Sequence, residues 1–184
     1  ESRGLGDVYK RQGQEVTGWL HVTGGRLRGS VQAFDGTVFK FSSPDFGDLE
    51  LPVAVVEAVI WTDLAQQRLP SPDEPGDVLV LRNLDRLSGT LNGLDGKTVK
   101  FHSDLGDSEL ELARVAALKI GAPKAGRATA TLPALRVALA GGTLIQLCQA
   151  EISANTIKGR LAGGPSVAAP LDKAVSYTHL RAHE

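Results

Sequence analysis

In RLRGSVQAF, residues 26–34, Leu27, Gly29, Val31 and Ala33 alternate with Arg28, Ser30 and Gln32. A period of two sends successive side chains to opposite faces of a strand, so the first set is expected inside and the second outside. Asp35-Gly36 follows, and then Phe39 and Phe41 alternate with Lys40. An Asp-Gly pair between two alternating runs predicts a hairpin with those two residues as its turn, since both tolerate positive φ.

The pattern returns at a constant offset of 60: RLSGTLNGLDGKTVKFHS (86–103) lies under RLRGSVQAFDGTVFKFSS (26–43) without a gap. Arg26/Arg86, Leu27/Leu87, Gly29/Gly89, Asp35/Asp95, Gly36/Gly96, Lys40/Lys100, Phe41/Phe101 and Ser43/Ser103 are identical pairs. So many coincidences in so short a stretch indicate an internal duplication. In the second copy Leu87, Gly89, Leu91 and Gly93 are expected inside, with Val99 and Phe101 after the turn and Lys100 outside. FGDLELP (46–52) and VVEAVIW (55–61) find counterparts in LGDSELELA (105–113) and RVAALKI (114–120). A third, degenerate copy begins at RVALAGGTLIQL (136–147) and continues through TIKGRL (156–161) and SVAAPLDKAV (166–175).

Each copy therefore reads as five short strands, and the fold class is all-β. Gly29 and Gly89 interrupt the apolar face where a bent strand needs space. Five bent strands in so few residues close as a small barrel. The expected organisation is a first barrel at 13–61, a connector at 62–76, a second barrel at 77–120, a connector at 121–134, and an incomplete third copy at 135–174. Units this small bury little surface alone, so neighbours are expected to pack together.

The stretch DVLVLRNLDRLSGTLNGLDGKTVKFHSDLGDSELELARVAAL (77–118) resembles the tandem Sm-like or SH3-like barrel repeats of planctomycete-type bacterial proteins. Those repeats favour Arg-Leu-x-Gly, a Leu-Asp-Gly hairpin, a Glu-Leu strand and a Val-Ala-Ala-Ile-like strand. The resemblance is best at 77–120 and weakest in the third copy. Leu84 stands where those repeats carry a turn glycine, which predicts a different turn type there. Such proteins often end in an NPCBM domain, a jelly-roll module taken to bind carbohydrate. The resemblance implies a non-catalytic interaction or spacer region of a larger, exported, cell-envelope protein, carbohydrate-associated or meeting a protein partner through a downstream domain. A nucleic-acid-binding Sm-like module is the alternative, and an accessory region of an enzyme or outer-membrane barrel protein is the second. The family lends no catalytic residue to this chain.

The two ends read differently. SRGLGDVYKRQ (2–12) and VSYTHLRAHE (175–184) back-translate to one DNA segment in opposite orientations, over roughly thirty nucleotides. That segment resembles a transposon-end adapter used in DNA library preparation. On this reading 1–12 and 175–184 are translated adapter, and the third copy lacks its last strand and ends in a frayed, open sheet edge. His179 and His183, four apart as zinc-binding helical histidines would be, are set aside with them.

Excluding both ends removes four of the 20 basic and three of the 21 acidic residues, leaving a slightly acidic window of about −2. That balance offers no bulk attraction to nucleic-acid phosphates, and no partner of that kind is expected. No apolar run approaches the ~20 residues of a membrane span. Cys148 is the single cysteine, which excludes an internal disulfide and a cysteine-rich zinc site. His102 alternates outward beside Lys100, and His21 has no clear face. The acidic residues Asp45, Asp48, Asp104, Asp107 and Glu109 read as a solvated loop rather than a calcium site. Gly24-Gly25 and Gly141-Gly142 fit hairpin turns better than a phosphate loop. The candidate ligand contacts are Arg26 and Arg86, which recur at one position after a turn, and Trp19 and Trp61, which could stack on a sugar ring. No catalytic residue, metal ligand or cofactor is expected.

Overall fold

The computed structural model describes residues 17–62, 75–121 and 134–180. The first unit comprises β1 (Thr17–Val22), β2 (Gly25–Phe34), β3 (Val38–Ser43), β4 (Gly47–Pro52), one 3-10 turn at Val53–Val55, and β5 (Val56–Ile60). The same order follows in β6 (Asp77–Leu81), β7 (Arg86–Leu94), β8 (Thr98–Ser103), β9 (Gly106–Glu111) and β10 (Val115–Lys119), with the 3-10 turn at Leu112–Arg114. It follows again in β11 (Ala134–Leu139), β12 (Leu144–Ser153), β13 (Thr156–Leu161), β14 (Ser166–Pro170) and β15 (Ala174–Leu180), with the turn at Leu171–Lys173. All pairings are antiparallel, and the strands join into one sheet. The protein is all-β, as its alternating pattern requires.

Within the first unit β1 pairs with β2 and β5, β2 with β3, and β3 with β4. The inward positions fill one core: Leu27, Val31, Phe39, Phe41, Leu51, Val56 and Val59 are all buried. Phe39 stacks on Phe34 with ring centroids 4.2 Å apart. Gly29 and Gly89 sit where a Cβ would collide with the carbonyl oxygens of Ser42 and His102, so the bend demands glycine at both places.

Four expectations need correction. Strict alternation fails at Gln32 and Asn92, where the register with the next strand shifts. A β-bulge there re-aims the strand end. Phe34 and Leu94, rather than Ala33 and Gly93, continue the inward face. The hairpin turn is displaced by one residue. The Asp35 amide bonds to the Val38 carbonyl, leaving Gly36-Thr37 as the loop, and only Gly36 has positive φ. Asp35 gains more outside the loop, where its Oδ1 accepts from the amides of Thr37 and Val38 at 2.8 and 2.9 Å. Asp95 does the same for Lys97 and Thr98. Glycine at the first loop position is the type II′ arrangement.

The third correction concerns Leu84. It adopts φ of 71° and closes a three-residue loop, its amide donating to the Leu81 carbonyl at 2.9 Å as the amide of Gly142 (φ of 86°) does to Leu139 in the third unit. The first unit's turn at Thr23-Gly24 is one residue shorter, with Val22 paired to Gly25; the glycine-type loop of the third unit is thus built on a leucine, which bears the steric cost. The fourth concerns the C-terminal stretch. Residues through Leu180 are not frayed: β15 pairs along β11 from Leu139↔Ala174 to Ala134↔Leu180, completing a five-strand unit. Positions 1–16 and 181–184, with His183, lie outside the described residues, as does most of both connectors.

The units are joined by strands, not by tethers. β5 pairs with β10 through Ile60↔Ala117, Val59↔Leu118 and Ala58↔Lys119. Counting from the 3-10 turns, Val59 and Leu118 are equivalent, so the contact has a local two-fold through that pair. Phe34↔Leu94 adds a second link between these units, and Leu144↔Arg26 ties the third unit to the first.

Candidate functional site

Trp19 and Arg26 meet. They lie on neighbouring strands, and the Arg26 guanidinium stands 4.6 Å from the Trp19 ring centroid, a cation–π contact. The ring also meets Gly142 of the third unit, where a Cβ would come within 2.9 Å of it, and packs against the cluster of Ala58, Ile60, Val78, Val80, Ala116 and Ala117 at the junction with the second unit. Beneath this contact the buried Thr143 links the two units. Its Oγ1 accepts from the Arg28 amide at 3.2 Å and donates to Asp45 Oδ2 at 2.7 Å. The stacking candidate is thus a half-buried wedge between units rather than an open platform.

Trp61 is elsewhere. Only 8 % exposed, it packs into the core, and its amide donates to the Ala116 carbonyl across the junction with the second unit. Arg86 is exposed and paired in register with Val80, which occupies the place His21 holds opposite Arg26. The four residues therefore do not converge on one site. His21 is half-buried, and desolvation, helped by the charge of Arg26, holds its pKa below the ordinary histidine value. His102 faces solvent and its Nδ1 lies 2.7 Å from Asp107 Oδ1. The Asp35 carboxyl is held down to about 2 by the amides of Val38 and Thr37, so that carboxylate serves its own turn rather than Arg26.

A recurring groove escaped the reading of the sequence. On the outer face of the first unit Gln32, Lys40, Asp48 and Glu50 line a hollow; Asn92, Lys100, Asp107 and Glu109 line its counterpart in the second. Lys40 lies opposite Glu50, and Lys100 opposite Glu109. The repeated outward lysine was the available signal, since packing does not require it. Another hollow, of about 450 Å³, opens at the end of the third unit between Leu135, Cys148, Arg160, Leu161 and His179. In the aligned places of the other units stand the buried Trp61 and Ile120. Among the described residues no group of three or more His, Cys, Asp or Glu could hold a metal ion, and no helix is long and apolar enough to cross a membrane.

Compared with family models, with curated proteins and with solved structures, the chain matches none.

Proposed function

We propose that the chain is a run of small Sm-like or SH3-like barrels forming a non-catalytic interaction or spacer region of a larger, exported bacterial protein, carbohydrate-associated through a neighbouring domain. One observation carries the non-catalytic reading: most residues shared by the first two units have a packing or turn role. Phe41 and Phe101 are buried, Gly29 and Gly89 allow a close crossing, and Asp35 and Asp95 bind their turns. Ser43 and Ser103 accept from the amides of Asp45 and Leu105 in the next turn. What has been kept is a scaffold. The third unit's last strand, whose residues from Val175 onward read as translated adapter, departs from this scaffold: Tyr177 stays 49 % exposed where Val59 of β5 and Leu118 of β10 are buried.

A glycan array probed with residues 13–174 tests direct carbohydrate contact. Specific binding would place recognition in the barrels themselves, and blank arrays would leave the spacer role alone. Retention on heparin at moderate salt would overturn the reading in favour of a nucleic-acid module. Sequencing the source locus across positions 12 and 175 tests the adapter origin; genomic reads carrying VSYTHLRAHE intact would refute it.

A further inference from the structure

Among the described residues four strands hydrogen-bond on one side only: β4, β9, β14 and β15. An open edge is a template for another strand, and proteins blunt such edges with charges and proline. Three of the four are blunted. β4 carries Asp48, Glu50 and Pro52; β9 carries Asp107, Glu109 and Glu111; β14 ends in Pro170. β15, AVSYTHL, has no lysine, arginine, carboxylate, proline or glycine. Val175, Tyr177 and Thr178 instead favour extended structure.

The same chain shows how such a strand is used. The fifth strands of the first two units, β5 and β10, pair with each other antiparallel about Val59 and Leu118. Counting from the 3-10 turns, the equivalent residue of the third unit is Tyr177.

We propose that the β15 edge binds a second copy of this chain, the two β15 strands pairing antiparallel in the register of β5 with β10. Tyr177 then lies opposite its own copy, and Ser176 lies opposite the second copy's Thr178. The occupant is a like strand because the joint already present is between like strands and is symmetric about this position. A basic or acidic partner finds no charge on the strand to meet. The proposal concerns the chain as it stands and does not depend on whether residues 175–184 are native to its gene.

Sedimentation of the full chain up to about 100 µM reads the association, which a contact this small makes concentration-dependent. In the stated register S176K/T178K sets like charges directly opposite each other, while S176K/T178E sets opposite charges there. Both sites are exposed, so neither change burdens the fold. The expected result is a dimer that S176K/T178K weakens by at least ~10-fold and S176K/T178E retains. Oxidation of Y177C then gives a covalent dimer across the two-fold, since directly opposed strand positions lie within disulfide reach. A wild-type chain monomeric throughout that range, or two charge variants that associate equally, overturns the proposal.

Discussion

β10 and β15 follow the same 3-10 turn, run antiparallel to the first strand of their unit, and differ almost completely in burial. Every residue of β10 is buried, and all but Glu57 of β5 are. From Val175 to His179 every residue of β15 is exposed. Leu118 is wholly buried in the core, whereas Tyr177 in the equivalent place is half-exposed. The contrast separates two causes that usually act together. Backbone pairing with the first strand of the unit is enough to place a fifth strand, but matched side chains are needed to seal it. A strand held by pairing alone leaves a hollow behind it, and the cavity beside His179 is that hollow.

Matched substitutions break this contrast most sharply. Leu118→Ala should cost about 2–5 kcal/mol, because a fully buried leucine leaves a cavity, whereas Tyr177→Ala should cost within about 0.5 kcal/mol. Urea unfolding of both variants measures the difference, and equal losses would mean that β15 is sealed after all.

Filling the hollow tests the comparison from the other side. His179→Ile places the residue of the second unit's Ile120 against Leu135 and Leu161, and should raise stability by about 1 kcal/mol through added apolar burial. The same denaturation curves check it, with an unchanged or lowered midpoint counting against an underfilled end.

Leu84→Gly addresses a defect of the well-sealed second unit. Removing a side chain from φ of 71° should stabilise by roughly 1 kcal/mol, offset in part by the greater freedom of glycine in the unfolded chain. Thermal melting measures the net.

The smallest effect expected is on pH. His21 pairs in register with Ala58 of β5, and burial lowers its folded pKa below the unfolded value near 6.5. The unfolded chain therefore binds the proton more readily. This contribution is complete above pH 6.5 and is lost as pH falls toward the lower folded value. His21→Gln should flatten that part of the stability profile, as measured by melts between about pH 7 and pH 5.

Much of the frame was legible in the residues. Alternation at 26–34 and 86–94 and the Asp-Gly pairs gave strands and hairpins, because local sterics and burial write themselves into local sequence. The exceptions are places where a non-local term wins. The bulges at Gln32 and Asn92 exist to bring Phe34 and Leu94 inward, and alternation alone contains no trace of that need. Leu84 keeps a left-handed turn because the strands it joins are fixed by their partners. Pairing of β5 with β10 runs through backbone groups that every residue carries, although the apolar run Val115-Ala116-Ala117-Leu118 hinted that both faces are covered. Trp19 and Arg26 do touch, but Trp61 and Arg86 lie apart from them, since spacing along a chain does not report which unit turns toward which.

The junction of β5 with β10 also carries a rule of parity. Fifth strands that satisfy one another consume units two at a time, so two, four or six of them can all be matched, while any odd set leaves one without a mate. On the proposed pairing, adding or deleting a single unit would therefore switch such a chain between self-sufficient and self-associating, a change far larger than the loss of five strands suggests.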